Sequence, residues 1–100
     1  MKLEFEDEDL ENLAYVPGYR TRRWPSEVSE GYQRRIQDLQ AATSEQDLRA
    51  RKALHLEKLK GKQWPGCHSI RINIKYRLIV RFIAEDDERV TVVIDGLDYH

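Results

Sequence analysis

Two runs of alternating residues constrain this chain more than any other feature. From His68 to Ile74, the side chains of Ile70, Ile72 and Ile74 share one face and Ser69, Arg71 and Asn73 the other. From Tyr76 to Ile83, Leu78, Val80 and Phe82 are set against Arg77, Ile79 and Arg81. A period of two is the pattern of a strand with one buried face. Lying end to end, the runs predict an antiparallel hairpin of constrained register, because a one-residue slip would flip every side chain to the other face. A loop at Ile74-Lys75-Tyr76 would pair Asn73 with Arg77 and Ile72 with Leu78. That register leaves one apolar face and gathers Arg71, Arg77 and Arg81 on the other. Packing does not require three arginines there, although a solvated face of an antiparallel sheet permits them.

The rest of the chain reads as helices followed by strands. Lys2-Leu3-Glu4-Phe5 predicts a short strand with Leu3 and Phe5 on one face. Asp7 to Ala14 predicts a short helix, with acids in the first turn and Leu10, Leu13 and Ala14 as its apolar stripe; Pro17-Gly18 ends it. Tyr19 to Pro25 is a basic, aromatic link. Pro25-Ser26-Glu27 opens the longest helix, to about Ala42, with Val28, Tyr32, Ile36 and Leu39 facing the core and Arg34 and Arg35 beside that stripe. Gly31 inside it costs up to about 1 kcal/mol relative to alanine. Thr43-Ser44-Glu45-Gln46-Asp47 carries the caps of another helix, ending near Arg49. Beyond Glu85-Asp86-Asp87-Glu88, Val90 to Ile94 predicts the last strand. The order implies a small α+β domain spanning residues 1–100, in which N-terminal helices pack on a three- or four-stranded antiparallel meander.

Charge is distributed unevenly. The net charge is −1, yet residues 1–19 carry −5, residues 20–81 carry +9 and residues 82–100 carry −5. A basic middle between acidic ends suggests a phosphate-binding surface, and it is equally compatible with blocks that mix once the chain folds. One cysteine, Cys67, leaves no internal disulfide. An acidic N-terminus and the lack of a long apolar run predict a cytoplasmic protein with no membrane segment.

The candidate chemistry sits at the basic sheet face and at Asp98-Tyr99-His100. A carboxylate, a phenol and an imidazole following a hydrophobic run form a plausible acid–base site, although a triplet at a chain end is more often solvated. His55, His68 and His100 lack a metal-ligand spacing, and no metal or other cofactor is expected. Cys67 and His68, as strand neighbours, would point to opposite faces, which disfavours a thiol nucleophile. The remaining possibility is metal-independent phosphoryl transfer on RNA. A base takes the 2′-OH proton, arginines stabilise the phosphorane, and an acid protonates the leaving oxygen.

Leu56-Glu57-Lys58-Leu59-Lys60-Gly61, Ser69-Ile70-Arg71-Ile72-Asn73, Tyr76-Arg77-Leu78 and the closing Asp98-Tyr99-His100 together resemble the HigB-type toxins of the RelE/ParE superfamily. The similarity extends through Ala41-Ala42-Thr43-Ser44 and Asp47-Leu48-Arg49 to Phe5. It implies an α+β toxin of a type II toxin–antitoxin pair that cleaves mRNA on the ribosome and is neutralised by a helix-turn-helix, HigA-like antitoxin. By position, Lys60, Arg71 and Arg77 would bind phosphate, with Arg81 and Lys62 as further RNA contacts. Asp98, Tyr99 and His100 would join Arg77 in catalysis, His100 as the leading acid–base group. A ParE-like toxin acting on gyrase and a non-catalytic antitoxin-binding module with the same fold are the alternatives. The chain departs from the family pattern at Glu57, where histidine is common, and across Lys62 to His68, which is one residue longer.

Overall fold

The computed structural model describes residues 1–98. In chain order the elements are β1 (Lys2–Phe5), α1 (Glu8–Tyr15), α2 (Ser26–Ala41), α3 (Glu45–Ala50), a 3₁₀ turn (Lys52–Leu54), β2 (Glu57–Lys58), β3 (His68–Arg71), β4 (Tyr76–Glu85) and β5 (Glu88–Asp98). The five strands make one sheet in the order β1-β5-β4-β3-β2, with β1 parallel to β5 and every other pair antiparallel. The expected α+β class holds. The meander is extended by a parallel strand at one edge and by the two-residue β2 at the other.

The helices form where their caps and stripes dictate. Asp7 caps α1, its carboxylate accepting from the Leu10 amide at 2.9 Å. Ser44 caps α3 in the same way, accepting from the Asp47 amide. Val28, Tyr32, Ile36 and Leu39 of α2 are buried, together with Leu10 and Leu13 of α1, against Ile70, Leu78, Val80 and Val93 of the sheet. Full burial of each of these aliphatic side chains stabilises the fold by about 1.5–3 kcal/mol. Gly31 lies where α2 meets the β3–β4 loop: a Cβ there would stand 3.1 Å from Ile72 Cγ2 and 3.2 Å from the Ile72 carbonyl oxygen. The close approach explains a glycine inside a helix.

The hairpin register differs from the expected one by two residues. Arg71 pairs with Arg77 and Ile70 with Leu78, so the faces are kept but the turn is longer. Asn73 is the cause. Its side-chain oxygen accepts from the amides of Lys75 and Tyr76 at 2.9 and 2.8 Å, and this Asx turn ends β3 at Arg71. Ile74, expected on the apolar face, is consequently 89% exposed.

The last strand is longer than Val90–Ile94 in both directions. Asp86 and Asp87, both at positive φ, make a two-residue turn between the paired Glu85 and Glu88. At the other end the ladder continues through Asp95 and Gly96, which are weak strand formers. Val80 pairs with Val93 and Ile79 with Asp95, so Ile94 is the extra residue of a β-bulge. The bulge re-aims the end of β5 that carries Leu97 and Asp98.

Candidate functional site

On the sheet face opposite the core, Ser69, Arg77 and Ile79 form the floor of a pocket of about 190 Å³. Glu57 of β2 and Leu97 and Asp98 of β5 contribute to its sides, and Leu59 and Trp64 come from the loop over residues 59–67. That loop is closed by the Leu59 amide donating to the Cys67 carbonyl at 2.9 Å. Gly61 and Gly66 turn it at φ +98 and +72, a region that L side chains rarely adopt.

Arg77 is only 7% exposed. Its Nη1 donates to the carbonyl of His55 and its Nη2 to the carboxylate of Glu57, each at 3.2 Å. His55 ends the 3₁₀ turn in a left-handed conformation, φ +46. The guanidinium is thus oriented by the fold, in a site dry enough to strengthen its interaction with an anion. The carboxylate of Glu57 is more than half exposed, so the ion pair adds little stability and yields easily to a stronger anion.

The other expected site residues are distributed around this centre. Arg71 lies directly opposite Arg77 and on the same face; its carbonyl accepts from Arg35 Nε at 2.8 Å. Arg81 shares the face but sits four residues along β4, about 13 Å from Arg77 at ~3.3 Å per residue. There it is paired with Glu6 at 3.0 Å. The three arginines therefore share a face and not a pocket. Lys60 and Lys62 are exposed on the 59–67 loop beside the pocket and make no ion pair among the described residues. Asp98 lines the pocket and pairs with Tyr76 across the ladder. Tyr99 and His100 lie outside the described residues.

Glu57, Trp64, Ser69 and Leu97 were not singled out by their chemistry in the sequence. A two-residue strand has no periodicity to betray Glu57, and Trp64 falls in a loop with no pattern. Cys67 is buried, and its thiol lies 3.6 Å from the Pro65 carbonyl. His68 Nδ1 is buried with no hydrogen-bond partner among the described residues. Burial lowers its pKa, which Glu45 opposes and Arg49 and Lys58 reinforce, so its ring is a neutral packing element against Phe82. Among the described residues no group of three or more His, Cys, Asp or Glu side chains could hold a metal ion.

The basic, aromatic link over residues 19–25 is partly structural. Arg23 is bound by three carboxylates, Asp7 at 2.7 Å, Asp9 at 2.8 Å and Asp95 at 3.1 Å. Burial alone would raise the pKa of Asp9, but hydrogen bonds from Thr21, Tyr19 and Arg23 outweigh it and hold the carboxyl below its usual range. The next residue, Trp24, is buried against Tyr32 and Tyr76, with Nε1 donating to Ser29 Oγ. Its six-membered ring covers Gly96 so closely that a Cβ would fall 2.4 Å from Cζ3. Consecutive residues, Arg23 and Trp24, thus clamp consecutive residues, Asp95 and Gly96, just before β5 enters the pocket. Arg20 and Arg22, by contrast, are exposed.

Folding also sorts the charge. Arg23 and Arg81 of the basic middle are neutralised by the acidic ends, through Asp7, Asp9, Asp95 and Glu6. Lys60 and Lys62 stay exposed on the loop that lines the pocket. The charge blocks therefore mix in part on folding.

Solved structures of similar fold are toxins. The YoeB/ParE toxin from Agrobacterium tumefaciens matches over all of both chains with a TM-score of 0.56 at 20% identity. The YoeB–YefM complex from Staphylococcus aureus matches with a TM-score of 0.52 at 18% identity, covering 100% of this chain and 97% of that one. At such identities the likeness defines the fold, that of the RelE/YoeB/ParE-like toxins. Sequence narrows the class. The model of the HigB-like family, described as RelE-like toxin of type II toxin-antitoxin system HigB, matches residues 3–100. Toxin HigB-1 of Vibrio cholerae serotype O1 is 39% identical over 83 residues, covering 83% of this chain and 85% of that protein. The chain belongs to the HigB-like family of RelE-like toxins of type II toxin–antitoxin systems.

Proposed function

We propose that this toxin is an endoribonuclease that cleaves mRNA on the ribosome without a metal ion, in the cytoplasm, with residues 1–100 acting as one toxin domain. The observation that carries the reading is the buried, oriented guanidinium of Arg77 at the floor of a pocket edged by the exposed Lys60 and Lys62. Its charge and its forked donors suit a phosphate. Arg77 would hold the scissile phosphate and stabilise charge developing on its oxygens. Lys60 and Lys62, with Arg71 on the shared face, would hold neighbouring phosphates, and Arg81 would contribute further along the sheet once released from Glu6.

The proton transfers fall to the carboxylates and to the C-terminal groups. Glu57 and Asp98 are carboxylates at the pocket wall, and Glu57, displaced from Arg77 by an incoming phosphate, is left beside the reacting centre as an acceptor for the 2′-OH proton. His100, with Tyr99, is the group proposed to protonate the leaving 5′-oxygen. A helix-turn-helix antitoxin is the proposed protein partner; membership in a toxin–antitoxin family supports an antitoxin, and the related Staphylococcus aureus structure is a complex of YoeB with YefM. Mapping mRNA 3′ ends in a purified translation system tests the reaction. Cuts that need ribosomes, survive chelation of transition metals and vanish in a variant lacking His100 are expected. Intact mRNA with well-folded protein would refute it, and blocked gyrase in that setting would move the chain to the ParE-like mode of action.

A further inference from the structure

Phosphate chemistry leaves the apolar half of the Arg77 pocket without a purpose. A phosphate uses the guanidinium and the lysines, and gains nothing from Leu59, Ile79 and Leu97 beside them. Trp64 is half-buried in the wall, and its indole N–H donates to no described residue, whereas that of Trp24 is satisfied by Ser29. Ser69 lines the floor, and its hydroxyl likewise makes no hydrogen bond to a described residue. The volume of about 190 Å³ is below the roughly 300–1,000 Å³ of pockets for drug-sized ligands, so it admits a single ring system. The occupant must be flat and apolar on its faces, polar at its edge, and joined to an anion within reach of a guanidinium. A nucleotide meets all of these conditions.

We propose that the pocket takes one unstacked nucleobase of the RNA strand, next to the phosphate on Arg77, with Trp64 as its stacking surface. The assignment rests on the ribonuclease reading above and makes Trp64 a determinant of where the strand is cut. The Ser69 hydroxyl supplies a donor and an acceptor for the base edge. Exposed Lys60 and Lys62 supply the charge that carries the backbone past the pocket.

The test measures single-turnover cleavage on ribosomes programmed with intact mRNA, and with mRNAs carrying one abasic nucleotide at each position around the cut in turn. Wild type, Trp64→Phe and Trp64→Ala are compared after thermal unfolding has shown each to be folded. Stacking on an aromatic ring is worth about 5- to 150-fold per base. Trp64→Ala should lose cleavage efficiency in that range on intact mRNA, Trp64→Phe should retain most of it, and the abasic site at one position should slow wild type to the level of Trp64→Ala with no further loss in the variant. Equal slowing of Trp64→Ala on intact and on every abasic mRNA would reduce Trp64 to a loop support and overturn the proposal. So would unchanged cleavage by Trp64→Ala; if antitoxin binding weakened at the same time, the pocket would belong to the protein partner. Wild type that cuts no mRNA would instead remove the ribonuclease reading, and this assignment with it.

Discussion

Replacing Gly96 by alanine should destabilise the fold far more than a single methyl group on a strand suggests. The new Cβ would lie 2.4 Å from Trp24 Cζ3 and 2.8 Å from Cη2, where carbon atoms normally rest about 3.5–4.0 Å apart. Trp24 has nowhere to withdraw. Its ring is 5.7 Å from that of Tyr32 and 5.9 Å from that of Tyr76, its Nε1 is held by Ser29, and the residue is 6% exposed. An overlap of more than 1 Å must then be absorbed by β5 or by the core. Overpacking of this kind costs about 1–3 kcal/mol. For a domain of this size each 1 kcal/mol lowers Tm by about 4–8 °C, so a fall of roughly 4–24 °C is expected. Urea unfolding should show a lower midpoint with an unchanged slope. Trp24→Phe, which removes the obstructing part of the ring, should couple to Gly96→Ala by about 0.5–3 kcal/mol in a double-mutant cycle. A Gly96→Ala stability within about 0.5 kcal/mol of wild type, or strictly additive effects, would refute the clamp.

Other substitutions probe the remaining links. Arg23→Met should cost about 1–3 kcal/mol by leaving Asp7, Asp9 and Asp95 together without their cation; unchanged urea stability would show the network to be ornamental. Gly31→Ala should fail to deliver the roughly 1 kcal/mol of helix propensity, because Ile72 meets the new Cβ at 3.1 Å; a full gain would contradict that contact. His68 has a folded-state pKa lowered from 6.5, chiefly by burial, so the unfolded chain takes up its proton first. Stability should be independent of this group above about pH 7 and fall as pH drops below about 6.5 toward the folded-state pKa. His68→Leu should flatten that segment of the unfolding profile, and equal pH slopes for variant and wild type would rule the histidine out as its source.

Most of the framework was legible because it is written in periodicity. The stripe on α2, the caps at Asp7 and Ser44, and the alternation of β3 and β4 are local signals, and local signals place elements and faces. The register error came from a polar side chain: Asn73 builds an Asx turn, and no hydrophobic pattern reports that. The end of β5 was hidden because Asp95 and Gly96 look like a break, whereas Arg23 and Trp24 hold them in the ladder from more than 70 positions away. The same distance hid the structural role of the link. Within the site, Arg77 and Asp98 could be nominated by residue type and resemblance. Glu57, Trp64 and Ser69 lie on consecutive segments, but they meet Arg77 and Leu97 only once β2, the 59–67 loop and β3 have folded against β4 and β5.

The most direct test of the central claim compares the rate of ribosome-dependent mRNA cleavage by wild type with those of Arg77→Lys and Arg77→Met, scored by 3′-end mapping at matched concentrations of folded protein. Removing an oriented donor from a developing oxyanion typically slows catalysis by about 10²–10³-fold. Both variants should fall by at least roughly that amount while retaining the fold, since the charge of lysine cannot replace the fork of arginine. Cleavage by Arg77→Met at the wild-type rate and the same sites would show that the pocket on β4 is not where the phosphate is held.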